Sequence, residues 1–174
     1  MFFDSYGIIY KMNADAFRQF YDYHITENRK LWETCIASLT YEQFTQHVDY
    51  SHGSVRDQIV HIMNVDELWF SELQNAEPIE LTPSASIDDR KIIRAHWDNV
   101  EQRMQAYLAD LQDNLLFEKP IKEPEEDKEL FVWQVLLHVA NHATDHRAQL
   151  LRVIHDMGIE TNSQDFIFYV YDHP

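Results

Sequence analysis

At 174 residues the chain has the length of one domain, long enough to build a helical core without disulfides. Acidic residues outnumber basic ones 30 to 14, a formal charge of -16, which leaves no basic footprint for nucleic-acid phosphates and disfavours anionic membrane surfaces. Ten Phe, nine Tyr and four Trp argue against disorder, while only three Gly and five Pro favour long helices over a tightly turned sheet.

The opening MFFDSYGIIYKMNADAF lacks the basic region and unbroken apolar run of a signal peptide. No stretch approaches the roughly 18 apolar residues of a membrane span, so a cytoplasmic protein is expected. From Asn13 as N-cap, Phe17, Phe20, Tyr21, His24, Leu31, Trp32, Cys35 and Leu39 predict a first helix ending near Leu39. Cys35 is the one cysteine, which excludes an internal disulfide and a Cys-rich zinc site. Tyr41 to Gly53 reads as an irregular connector with a short turn. Ser54 as N-cap, with Asp57 at the capping-box position, starts a second helix that runs to about Leu73.

An acidic, Pro-containing connector, NAEPIELTPSAS, leads to a third helix opened by Ser86 or Asp88. It carries Ile92, Ile93, Trp97, Val100, Met104, Tyr107, Leu108 and Leu111. After EKPIKEPEED, a fourth helix is predicted from about Lys128 to Met157, stopped by Gly158. The tail SQDFIFYVYDHP is expected to pack its aromatics back onto the body. Four long helices with long connectors read as an all-α four-helix bundle, a single domain over residues 1–174.

The fourth helix contains HVANHATDHRAQ, with His138, His142 and His146 at four-residue spacing. Residues four apart on a helix are turned by only about 40°, so two such imidazoles can reach one ion. On a helical wheel His146 lies inside the apolar arc of Val132, Leu136, Val139, Ala143, Leu150 and Ile154, and His142 on its edge. His138 points toward the polar side and reads as a surface residue or one that supports a ligand without touching the ion. A third ligand is offered by His61, at the edge of the second helix's face of Ile59, Ile62, Val65, Trp69 and Leu73. Taken alone, His61 reads as a core-edge histidine bonded to a carbonyl or carboxylate; the inward pair on another helix raises it to a candidate. His24 lies on an inner stripe without a paired ligand. His47, His52, His96, His155 and His173 read as solvated or packing residues, and Trp32, Trp69, Trp97 and Trp133 as core.

These segments carry a resemblance. YHITENRKLWETC, SVRDQIVHIMNVDELWF, WQVLLHVANHATDHRAQLLRVIHDMG and QDFIFYV together resemble the DinB/YfiT-like family of metal-binding four-helix bundles. The resemblance implies His61, His142 and His146 as ligands. It departs from the family pattern at Ala148, where Gly is usual, and at Asp145, which adds negative charge near the site.

Neutral imidazoles suit zinc or nickel, with manganese or iron as further options, and three protein ligands leave positions open for chemistry. An ion there would lower the pKa of a water or a substrate thiol. The resemblance implies a small-molecule substrate such as a low-molecular-weight thiol, a transferase, isomerase or hydrolase reaction, and a homodimer. The competing reading is a non-catalytic stress-related protein that binds a ligand or metal. Asp57, Asn64 and Gln149 are candidates to orient the imidazoles. Asp66 and Arg147, both charged within apolar arcs, are expected to form an inter-helix salt bridge beside the site.

Overall fold

Asn13 opens the first helix as expected, its side chain accepting a hydrogen bond from the Ala16 N–H at 2.8 Å. The computed structural model describes residues 13–77 and 79–173. The signal-peptide reading of residues 1–12 and the ends of the single-domain assignment lie outside them. Helix α1 (Ala14–Leu31) places Asp15 in its first turn and Arg29 and Lys30 in its last, complementing the helix dipole. It does not run regularly to Leu39. Over Trp32–Ile36 the turns widen to π geometry, with the Ala37 N–H bonded to the Trp32 carbonyl at 2.9 Å.

The connector expected after it contains a further helix, α2 (Tyr41–Thr45). Its signal is the sequence TYEQ: the Thr40 hydroxyl accepts from the Gln43 N–H and the Gln43 amide accepts from the Thr40 N–H, a complete capping box. Helix α3 (Val55–Leu73) starts on the expected Ser54–Asp57 box. Helix α4 (Arg90–Asp110) is capped by Asp89 rather than Ser86 or Asp88; Ser84–Ser86 form a separate 3-10 turn. Helix α5 (Val132–Asp156) begins four residues after Lys128, because a 3-10 turn over Glu125–Asp127 precedes it. Its end is the expected one, with Gly158 at φ +82°. Helix α6 (Phe166–Asp172) forms the tail.

The fold is all-helical, with six α-helices and no strand among the described residues. No described helix is long and apolar enough to cross a membrane. The four long helices neighbour one another in a ring: α3 packs most extensively on α5 and also on α4, while α1 packs on α5 and α4. Ile59, Ile62 and Met63 of α3, Trp97 and Met104 of α4, Leu136, Val139 and Ala143 of α5, and Tyr21 of α1 fill the middle. Phe44 of α2 is fully buried beside them. All four tryptophans belong to this core or pack against it, as expected. The tail packs back only in part. Phe166 meets Phe20 and Tyr23 edge-on, whereas Ile167, Phe168 and Tyr171 stay exposed.

Arg147 and Asp66 are each 1% exposed, but they do not form the expected direct salt bridge. His24 of α1 stands between them. The Arg147 Nη1 lies 3.4 Å from His24 Nδ1, and His24 Nε2 lies 3.5 Å from Asp66 Oδ2. A guanidinium only donates, so Nδ1 accepts and Nε2 carries the ring proton toward Asp66. The Asn28 amide nitrogen lies 3.3 Å from the same Nε2, but as a donor it cannot take that proton, which is left to Asp66. Arg147 also donates to Asn28 Oδ1 and Gln164 Oε1, each at 2.8 Å, and to Thr144 Oγ1 at 3.0 Å. Trp97 of α4 donates to Asp66 Oδ2 at 3.3 Å. Burial pushes the guanidinium pKa down, and Tyr23 and Asp66 pull it back.

Replacing Arg147 by Met keeps most of the volume and removes every donor from this network. We expect Arg147→Met to cost about 3–5 kcal/mol in urea unfolding, the scale for stripping one partner from a buried charge cluster. A loss under about 1 kcal/mol would mean that the network contributes little to stability.

Candidate metal centre

Three of the expected residues converge. His61 comes from the second turn of α3, and His142 and His146 from successive turns of α5, the helix on which α3 packs most closely. The ring centroids of His61, His142 and His146 lie 5.0, 4.6 and 4.3 Å apart pairwise. His61 Nε2 and His142 Nε2 are 3.2 Å apart. Two nitrogens held at about 2.0–2.1 Å by one tetrahedral ion are separated by roughly 3.3 Å, so this spacing suits a shared ligand position. His146 is buried, while His61 and His142 are half-buried at the opening.

A fourth imidazole joins them. His52, on the connector before α3, stacks on His61 with centroids 3.8 Å apart and planes 20° from parallel, and its centroid is 4.9 Å from that of His146. One nitrogen each from His52, His61 and His146 lie within 4.8 Å of one another. Sequence reasoning set His52 aside because helical period carries no information about a connector. The available signal was its place two residues before the Ser54 cap of the helix that bears His61.

His138 is exposed and packs edge-on against Trp69 at 5.2 Å, as expected of a surface residue. His24 belongs to the Arg147 network, and His96 pairs with Glu67 at 2.9 Å. The three residues expected to orient the imidazoles are engaged elsewhere. Asp57 caps α3 and pairs with Arg56, Asn64 bonds the Thr82 backbone, and Gln149 bonds Ser51 and Asp145. Their positions on α3 and α5 were right, but each found a closer partner. His142 Nδ1 and His146 Nδ1 are buried without a hydrogen-bond partner among the described residues.

The electrostatics favour bare lone pairs. Desolvation, followed by the neighbouring imidazoles, lowers His61 to about 4 and His142 to about 4, with Asp66 opposing the shift at His142. His146 is lowered by desolvation and His52, with Asp145 opposing. At neutral pH the cluster therefore presents uncharged donors at close range, the state in which imidazole binds a transition metal. The all-imidazole donor set, with its two Nε2 atoms 3.2 Å apart, fits a divalent ion.

The sequence model of one protein family, described as the DinB family, matches residues 12–173. No curated protein matches the sequence.

Free imidazole titrates near 6.5, so below that pH the unfolded chain binds protons that folded His61 and His142 refuse. These groups take nothing from stability above about pH 6.5 and lower it progressively down to about pH 4. Half-exposed rings are screened by solvent, which limits their joint effect to about 1–2 kcal/mol. In metal-free protein, Tm measured between pH 7 and 4.5 should fall less steeply for His61→Gln/His142→Gln than for the parent. Identical slopes would contradict the assignment of strained, neutral imidazoles.

Proposed function

The chain belongs to the DinB family, and on that premise we propose that it holds one divalent transition-metal ion between His61, His142 and His146 and uses it catalytically. The observation that supports this most is the convergence of three neutral imidazoles from two helices, with Nε2 atoms of His61 and His142 3.2 Å apart. Zinc and nickel suit the all-nitrogen donor set best, and manganese and iron are the further candidates. The ring of α1, α3, α4 and α5 is read as a DinB-type four-helix bundle forming one domain.

When bound, the ion supplies Lewis acidity that makes a water or a thiol nucleophilic near neutral pH. The protein's own part is to keep His61 and His142 unprotonated, to bury His146, and to leave one side of the cluster facing solvent. The reaction class proposed is thiol-dependent transfer or isomerisation, or hydrolysis, on a small-molecule substrate. A cytoplasmic setting, where low-molecular-weight thiols stay reduced, belongs to this reading. So does a homodimer, supported by the exposed Ile167, Phe168 and Tyr171 of α6.

The test pairs occupancy with activity. Parent protein loaded with zinc, nickel or manganese is expected to keep about one ion per chain through dialysis and to conjugate a low-molecular-weight thiol to an electrophile. His142→Ala is expected to lose both properties, at least tenfold in rate, on the scale of losing a metal-orienting group. Equal activity in parent and variant would refute metal-dependent catalysis. Full occupancy without activity across thiol and hydrolase substrates would favour a binding protein instead.

A further inference from the structure

We infer that His52 is a fourth, exchangeable protein ligand to the ion proposed at His61, His142 and His146, an assignment that rests on that reading of the site.

The connector is shaped around this one side chain. Ser51 and Gly53 on either side of His52 both take left-handed backbone conformations, at φ +53° and +91°. For a serine that conformation costs about 1–2 kcal/mol. Gly53 cannot be replaced freely, because a Cβ there would stand 2.8 Å from His47 Nδ1. The Gly53 N–H closes the turn on the Tyr50 carbonyl at 3.1 Å. Ser51 is tied by its hydroxyl to Gln149, which lies three residues beyond His146 on α5 and is itself held by Asp145 at 2.8 Å. The tether thus attaches the connector to the ligand-bearing helix at the level of the site, and His52, though exposed, keeps one nitrogen within 4.8 Å of those of His61 and His146.

Its present pose also says why the ligand is exchangeable. His52 and His61 are stacked nearly parallel, and parallel rings present faces rather than lone pairs to each other. The His52 nitrogen already within 4.8 Å of those of His61 and His146 can bind an ion held there, and the ring's exposure leaves it free to swing away. With His52 engaged, four imidazoles complete a tetrahedral zinc set, the closed kind of site. With His52 swung away, three remain and a position is free for substrate. The His61–His142–His146 part is carried by two packed helices and stays fixed. The connector therefore supplies the one donor that a substrate can displace.

Zinc affinity by chelator competition and the visible spectrum of the cobalt-loaded protein test this in the parent, His52→Ala and His142→Ala. We expect His52→Ala to bind zinc about tenfold or more weakly, at least the loss seen when an outer partner of a ligand is removed. We also expect its cobalt spectrum to differ from the parent's and to return toward it on addition of free imidazole. Affinity within twofold of the parent and an unchanged spectrum, while His142→Ala fails to bind, would overturn the role of His52 and leave the three-histidine site standing. A parent that binds neither metal would overturn both readings.

Discussion

A guanidinium buried at the centre of a helical protein is the constraint on which the rest of this structure depends. Arg147 is 1% exposed, and an unneutralised charge there would be far too costly to keep. Its donors are therefore met by Asn28 on α1, Thr144 on its own helix and Gln164 in the segment before α6, with His24 handing the interaction on to Asp66 of α3. Trp97 attaches α4 to the same carboxylate. One cation thus fixes the rotation of α5 and the height of α3 against it. His146 is the residue before Arg147, and Asp66 lies five residues beyond His61, so the same contacts set where the imidazoles meet.

The proposed function rests on neutral bases placed at a partly desolvated opening. Desolvation and mutual repulsion keep His61 and His142 unprotonated, and the close approach of their Nε2 atoms would be unfavourable if both were charged. Asp66 and Asp145 counter this only in part, since each acts on a single member of the cluster. The chain's formal charge of -16 adds a negative surround that draws cations and repels polyanions. A concentrated group of lone pairs within that field is suited to a metal ion.

The sequence made the long helices legible, and with them the approach of His61, His142 and His146, because helical period encodes which face each residue occupies. Caps at Asn13, Ser54 and Gly158, and the wheel that turned His142 and His146 inward, depend on local geometry that spacing encodes. What spacing misses is whatever depends on an element's partners. The Thr40–Gln43 box was present in the letters, yet a five-residue helix gives too short a period to stand out. His24 was placed on an inner stripe, but its position between Arg147 and Asp66 required the rotation of three helices to be known at once. His52 lies on a connector between two left-handed residues, where no repeat gives its direction. Asp57, Asn64 and Gln149 were assigned by proximity, and caps, the Thr82 backbone and Ser51 engage them first.

The central claim is that this imidazole cluster is a metal centre, and anomalous scattering from crystals grown with zinc tests it most directly. Data collected on either side of the zinc edge should give one dominant anomalous peak per chain, within bonding distance of His61, His142 and His146. No peak among these three residues, or a dominant peak at another donor group such as His96 and Glu67, would contradict the account.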